Sequence, residues 1–267
     1  MIEDLELKLL LEGIYQHYGY DFRNYAHASI KRRIKRHMGM QKIERVSQLQ
    51  DRVLHDTALM EKLLMDISVH VTDMFRDPDF YRALRQKVLP LLRTFPLIHI
   101  WHAGCSTGQE VYSLAILLHE EGLLDRTRIY ASDINEQALK TARAGIYPLS
   151  HMKESISNYR ASGGEADFSD YFIARYGNVM FDPELKRNIT FYNHNLATDG
   201  PFHQFELILC RNVMIYFNTE LKAQALDLFQ KSLTPLGLLA VGNKESVHQK
   251  KSFESFDAIN RIYRKIH

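Results

Sequence analysis

Through about residue 93 the apolar positions recur at steps of three and four. Leu7, Leu10, Leu11, Ile14 and Tyr18 share one helical face, and Leu59, Leu63, Leu64 and Ile67 share another. No segment there alternates as a strand would. Asp77-Pro78 reads as a helix start, since the first turn does not use the N–H that proline lacks, and Phe80, Leu84, Val88 and Leu91 continue one face beyond it. The spacing predicts a helical domain over 1–70 and a connecting helix in 71–94.

After Pro96 the pattern becomes short apolar runs ending in Gly, Asp or Asn, each followed by a helical segment, the alternation of an α/β domain with a parallel sheet. Strands are expected at Leu97–Trp101, Arg128–Ala131, Ile189–Tyr192, Phe205–Cys210 and Leu236–Val241, with a last one at Ala258–Ile266. Helices are expected at Gln109–Glu121, Asn135–Arg143 and Thr219–Leu233. Between Ile146 and Arg187 the alternation breaks, and Ser, Gly, Asn and Tyr gather around Ser162-Gly163-Gly164, which marks an insertion.

A length of 267 residues suits one large domain with a small companion. The formal net charge of +2 gives no ground for wholesale binding to nucleic acid or a membrane surface, so any basic function is local. The longest apolar stretches, such as 236–241, fall far short of the roughly 20 residues needed to cross a bilayer. An acidic beginning, Met-Ile-Glu-Asp-Leu-Glu, argues against a secretory signal, and two cysteines suit a reducing cytoplasm. A cytoplasmic monomer is the expectation.

The candidate chemistry starts at His-Ala-Gly-Cys-Ser-Thr-Gly, residues 102–108, between an apolar strand and a helix. Gly104 and Gly108 are expected to let backbone approach a ligand, and Asp133, closing the next strand, stands where nucleotide folds place a carboxylate on ribose hydroxyls. Such glycines also occur in purely structural turns. The dinucleotide pattern G-x-G-x-x-G is absent, and Glu110 at the helix start would repel a pyrophosphate but suit a cationic amino group. S-adenosylmethionine therefore fits better than NAD.

Five blocks then carry a resemblance: Val-Thr-Asp-Met-Phe-Arg-Asp at 71–77, Ser-Thr-Gly-Gln-Glu-Val-Tyr-Ser at 106–113, Ala-Ser-Asp-Ile at 131–134, Asn195-Leu196, and Cys-Arg-Asn-Val-Met-Ile-Tyr-Phe at 210–217. In that order they resemble the CheR family of chemoreceptor glutamate O-methyltransferases. The resemblance implies an N-terminal all-helical domain over 1–70, a linker helix over 71–94 that contributes to the cofactor site, and a Rossmann-like class I methyltransferase domain over 95–267. A small β-rich subdomain would be inserted near 148–188. It also implies S-adenosylmethionine as methyl donor. Cofactor contacts would fall on His70, Thr72, Arg76, Glu110, Asp133, Asn195, Leu196, Arg211 and Asn212. Asp133 would hold the ribose, Glu110 and Arg76 the methionine end, and Asn195-Leu196 would border the adenine. Arg76, Arg211 and Tyr216 would lie nearest the transferred methyl. His70 stands where many relatives have Asn, and Gln109 where many have Glu.

The acceptor chemistry requires no dedicated base, because a glutamate with an ordinary pKa of about 4.3 is already ionised at neutral pH. Lys31, Arg32, Arg33, Lys35 and Arg36 form a cationic run with an apolar seam at Ile30 and Ile34. That run is either a solvated face or, as the resemblance implies, a surface that docks on acidic receptor helices. Blander readings stand beside the others. Arg211-Asn212 suits a cap, Thr72, Asp73 and Asp77 suit caps for the helix at Pro78, and Cys105 and Cys210 suit buried strand ends. His99 and His102 are expected on opposite faces of their strand, and no metal-ligand set emerges. The competing functions are a non-catalytic S-adenosylmethionine-binding scaffold and a nucleic-acid methyltransferase. Against the latter, Cys-Arg-Asn-Val replaces the Asp/Asn-Pro-Pro-Tyr/Phe element common in base-methylating enzymes.

Overall fold

A computed structural model describes residues 4–68, 72–247 and 251–266. Four helices come first: α1 (Asp4–Tyr18), α2 (His27–Gln41), α3 (Val46–His55) and α4 (Thr57–Ile67). The expected faces of α1 and α4 are the buried ones, and with Ile34 of α2 and Leu49 and Val53 of α3 they close a single core. Asp56 separates α3 from α4 by accepting a hydrogen bond from the Leu59 N–H, as an N-cap should. Inside this bundle His37 Nδ1 lies 2.6 Å from Asp66 Oδ2, pinning α2 to the last turn of α4.

The connecting segment is not one helix. Residues 72–77 are irregular, α5 (Pro78–Ala83) begins at the expected proline, a π turn covers Leu84–Val88, and α6 (Leu89–Leu92) follows. Pro90 explains the interruption. It cannot donate to the preceding turn and its ring crowds the carbonyl four residues back, so the chain widens to a bond from Leu89 N–H to Leu84 O just ahead of it.

The α/β part runs β1 (Ile98–Ala103), α7 (Gln109–Glu120), β2 (Thr127–Asp133), α8 (Glu136–Ala144), β3 (Ile146–Pro148), α9 (Met152–Ala161), β4 (Phe172–Arg175), β5 (Asn178–Phe181), α10 (Pro183–Lys186), β6 (Ile189–Asn193), β7 (Phe205–Cys210), α11 (Thr219–Ser232), β8 (Leu233–Val241), β9 (Phe253–Asp257) and β10 (Ile262–Lys265). Seven strands form one sheet in the order β6-β2-β1-β7-β8-β10-β9. The first five are parallel and the last two pair antiparallel. Within β1, Ile98 and Ile100 pack into the core on one face and Trp101 and Ala103 into the core on the other. Both faces are covered, as a parallel sheet requires.

Two expectations change here. The final strand is not continuous over 258–266. Asp257 Oδ1 accepts the N–H groups of Ile259 and Asn260, and Arg261 takes a positive φ of 56°, so the chain turns between β9 and β10. The insertion does contain a small antiparallel sheet, β3-β5-β4, but also the unexpected helix α9. Tyr159 of α9 and Tyr171 both donate hydroxyl hydrogens to Glu120 of α7, fastening the insertion to the main domain. Among the described residues no helix is long and apolar enough to cross a membrane.

After α9 the chain passes so close to Tyr159 that a Cβ on Gly164 would overlap the Tyr159 ring. Because both sides are packed, Gly164→Ala is expected to cost about 1–3 kcal/mol. Chemical denaturation with Tyr fluorescence checks this, and Gly200→Ala, where a Cβ meets nothing, is the control.

Candidate active site

The order of the sheet reverses between β1 and β7, and at that point, on the carboxyl edge, lies a cavity. Loop residues after β1, β2, β6 and β7 supply most of its wall. Of the expected site residues, Thr72, Arg76, Glu110, Asp133, Asn195, Leu196, Arg211, Asn212 and Tyr216 all line it. His70 lies outside the described residues.

Asp133 is the last residue of β2. Its carboxylate accepts from Ser106 N–H at 2.8 Å and Asn135 N–H at 3.0 Å, so backbone on both sides fixes its orientation. Asn195 Oδ1 instead accepts from Ala197 N–H at 2.9 Å and shapes its own loop, which presents Leu196 to the cavity. Packing constrains both glycines, and Gly104 lines the cavity. A Cβ on Gly104, at φ +75°, would overlap Val213, itself a wall residue, and a Cβ on Gly108 would lie 2.8 Å from the Ala142 Cβ of α8. Gly108 is thus required by packing of α7 against α8, and not by approach of backbone to a ligand.

The opposite end is ionic. The Arg211 side chain has no exposed surface, and its Nη1 donates to Glu110 Oε2 at 2.8 Å while Nη2 donates to Asp77 Oδ2 at 2.6 Å. Its guanidinium carbon lies 4.0 Å from the Phe80 ring centroid. Burial alone would raise the Glu110 carboxyl. The Arg211 charge, the His102 hydrogen bond and the Arg76 charge outweigh it and hold Glu110 below its ordinary value. Asp77, expected as a helix cap, makes no side-chain cap bond and serves Arg211 instead. The loop carrying these groups is strained, with Phe75 at φ 52° and Asp77 at φ 58°. It is held by the Phe75 N–H bond to Ser113 Oγ at 2.8 Å and by the Arg211 pair.

Sequence reasoning missed five contributors. Glu245 is buried after β8, and its two oxygens accept from Asn212, Ile215 and Gly242 N–H at 2.6–3.1 Å, clamping the loop in which Asn212 takes φ 60°. Burial raises its carboxyl above the ordinary value despite those bonds. His102 joins Glu110 at 3.2 Å. Tyr25 and the pair Ile67 and Ser68 bring the helical bundle into the cavity wall. None of these carries a local pattern. The cationic run also divides. Arg32, Lys35 and Arg36 are exposed, whereas Arg33 is half-buried with its guanidinium 4.8 Å from the Tyr216 ring centroid. The cavity end of the histidine expectation holds: His99 stacks near His203 on one face while His102 turns to Glu110 on the other.

Removing Arg211 leaves two carboxylates facing each other with their shared cation gone, so Arg211→Met is expected to cost about 3–5 kcal/mol at neutral pH, and Arg211→Met with Glu110→Gln to recover part of it. Because the native Glu110 carboxyl is lowered, its contribution is present above its ordinary range and is lost as pH falls through the lowered value. Urea denaturation at several pH values checks both points, and Arg211→Met should show the smaller loss on acidification.

Residues 5–68 match the family profile described as "CheR methyltransferase, all-alpha domain", and residues 70–262 match "CheR methyltransferase, SAM binding domain". A Pseudomonas putida protein, Cher3, whose name marks it as a candidate methyltransferase, is 51% identical over 265 residues, covering 98% of this chain and 97% of its own. The chemotaxis protein methyltransferase of Listeria monocytogenes is 30% identical over 92% of this chain and 93% of its own length. Chemotaxis protein methyltransferase 1 of Pseudomonas aeruginosa is 29% identical over 82% of each. With both profiles matched in order, and with its cavity formed by residues of both matched regions, the chain belongs to the CheR family of S-adenosylmethionine-dependent methyltransferases.

Proposed function

We propose that the protein transfers a methyl group to glutamate side-chain carboxylates on the cytoplasmic helices of chemoreceptors or related sensory proteins, acting in the cytoplasm during sensory adaptation. The carrying observation is a single cavity whose wall holds a backbone-fixed carboxylate at one end and an ion network at the other, with a cation from α2 against Tyr216. The names of the Listeria and Pseudomonas aeruginosa relatives support the chemotaxis assignment.

The donor set fits the cofactor. Asp133 suits the ribose hydroxyls, Leu196 and its neighbours suit a flat base, and Glu110 with Arg76 suits the charged methionine end. When bound, S-adenosylmethionine supplies an electrophilic methyl on a sulfonium. The chain's own task is then to align an incoming carboxylate and exclude water. Attack of a carboxylate on a sulfonium reduces charge, so desolvation favours the transition state. Arg76 orients the carboxylate by charge-assisted hydrogen bonds, and Tyr216 keeps it in register. Arg211, committed to Glu110 and Asp77, acts by positioning the wall around the methyl. The exposed cations of α2, Arg32, Lys35 and Arg36 with Lys31 beside them, dock the receptor helix, while Arg33 reaches inward from the same helix.

The test supplies labelled methyl donor and receptor cytoplasmic fragments. Alkali-labile label on the receptor is expected. Asp133→Ala should abolish S-adenosylhomocysteine binding, and Arg32→Glu with Arg36→Glu should slow methylation about tenfold at low salt while leaving that binding intact. Alkali-stable label on RNA would overturn the substrate assignment. Tight binding with no transfer to any receptor fragment would favour the scaffold reading.

A further inference from the structure

The helical bundle is fastened to the α/β part along two seams, and the cavity lies between them. On the β7 side Ala26 N–H donates to Tyr216 O at 2.7 Å, Asn218 N–H donates to Asn24 O at 2.9 Å, and Tyr25 forms an isolated bridge with Phe217. On the β2 side the contact is made by Asn135, which is 1% exposed. As N-cap of α8, its Oδ1 accepts from Gln137 N–H at 2.9 Å and Ala138 N–H at 3.1 Å. That fixes the orientation of the amide, whose donor end faces away from α8. Nδ2 reaches across to the end of α4, where it lies 3.0 Å from Ser68 Oγ and 3.2 Å from Met65 Sδ. Ser68 Oγ gives its own hydrogen to Leu64 O, so it offers Asn135 a lone pair. A helix cap needs only the oxygen, and serine or aspartate would supply that equally well. The amide donor of Asn135 serves the other domain.

The same residue orients the carboxylate proposed for the ribose, since Asn135 N–H donates to Asp133 Oδ1 at 3.0 Å. Ile67, Ser68, Asp133 and Ile134 all line the cavity, and Ile134 packs against the helical core. Ser68 is also the C-cap from which the chain leaves α4 for the linker that carries Thr72 and Arg76. The far end of that linker is fixed by the Phe75 N–H bond to Ser113 Oγ and by the Asp77–Arg211 pair. One buried side chain therefore holds the near end of the linker and orients Asp133. We propose that Asn135 is a positioning residue for cofactor binding, a latch that keeps the end of α4 in register with the ribose end of the pocket. This rests on the pocket's assignment to S-adenosylmethionine. Without the amide the cap and the Asp133 bond remain, but the wall made by Ile67 and Ser68 is held closed in only a fraction of the molecules, and apparent affinity falls by that fraction. Loss of one neutral hydrogen bond of ordinary strength allows a fall of up to about fivefold. The methionine end is held by the separate Arg211 network, so ligands with and without an amino-acid portion lose alike.

The experiment titrates the full chain by calorimetry with S-adenosylhomocysteine and with methylthioadenosine, which lacks the amino-acid portion. Wild type, Asn135→Ser, Ser68→Ala and the double variant are compared. Serine at 135 keeps a cap oxygen and the N–H that Asp133 accepts, but it has no amide to reach Ser68. Each single variant should weaken both ligands about three- to fivefold, and the double variant no further than the weaker single, because all three lack the same bond. Residue-resolved hydrogen exchange gives a readout that a loss of fold stability alone would not move. Bound S-adenosylhomocysteine should slow exchange of the Ser68 N–H, which is bonded to Leu64 O, in the wild type and much less in Asn135→Ser. The Ser106 N–H, bonded to Asp133, should stay protected in both. Unchanged affinity in Asn135→Ser, losses that multiply in the double variant, a loss confined to S-adenosylhomocysteine, or equal protection of Ser68 in both proteins overturns the latch, while wild-type binding keeps the pocket assignment. Absence of binding by either ligand to folded wild type overturns both. Should one single variant fail to fold, the affinity of the other decides the matter.

Discussion

A guanidinium removed from water organises this molecule. Arg211 is acceptable at zero side-chain exposure only because Glu110 and Asp77 meet its two terminal nitrogens and the Phe80 face covers its plane. Arg211 and those partners lie on three separate pieces of chain: the end of β7, the loop that runs into α5, and the start of α7. Tying them together fixes one end of the cavity and holds the left-handed Phe75 and Asp77 conformations that the isolated loop would abandon. The strained loop, the helix start and the strand end thus form one unit, and the cofactor pocket is the space between that unit and the carboxylate of Asp133.

A second dependence runs through the helical bundle. Tyr25, Ile67 and Ser68 complete the wall, and the Ala26 N–H donates to the Tyr216 carbonyl at 2.7 Å, so the approach to α2 is stitched to the loop that carries Tyr216. The His37–Asp66 pair joins the far part of α2 to α4 just ahead of Ile67 and Ser68. One helix consequently presents Arg32, Lys35 and Arg36 to solvent and Arg33 to the Tyr216 ring. Any force that tilts α2 is felt at the wall of the pocket, because the same element meets both.

The parallel sheet was legible because buried strands read as short apolar runs with turn residues at their ends. The placement of Asp133, Glu110 and Arg211 on one edge followed from that reading together with family resemblance. What the residues concealed were partners distant in sequence. Asp77 before Pro78 has the form of a cap, and nothing local reveals that its carboxylate is claimed by a residue 134 positions away. Gly108 has the form of a ligand-approach glycine, but the atom it avoids is on α8. Glu245 looks like a surface residue in a polar loop, yet its oxygens collect three backbone N–H groups. Pro90 and Asp257 were visible signals whose local force, a widened helical turn and a side-chain-bonded turn, outweighed the periodicity around them.

The site's buried carboxylates share a property that bears on mechanism. Asp133 accepts from two backbone N–H groups, Glu110 from Arg211 and His102, and Glu245 from the N–H groups of its neighbouring loop. Each is spent on holding geometry, and taking up a proton would break contacts that keep the wall in place. Under the proposed function the acceptor arrives already ionised and would require only position, dryness and a cation to steer it, the roles we propose for the closed Arg211 network, Arg76 and the inward-facing Arg33.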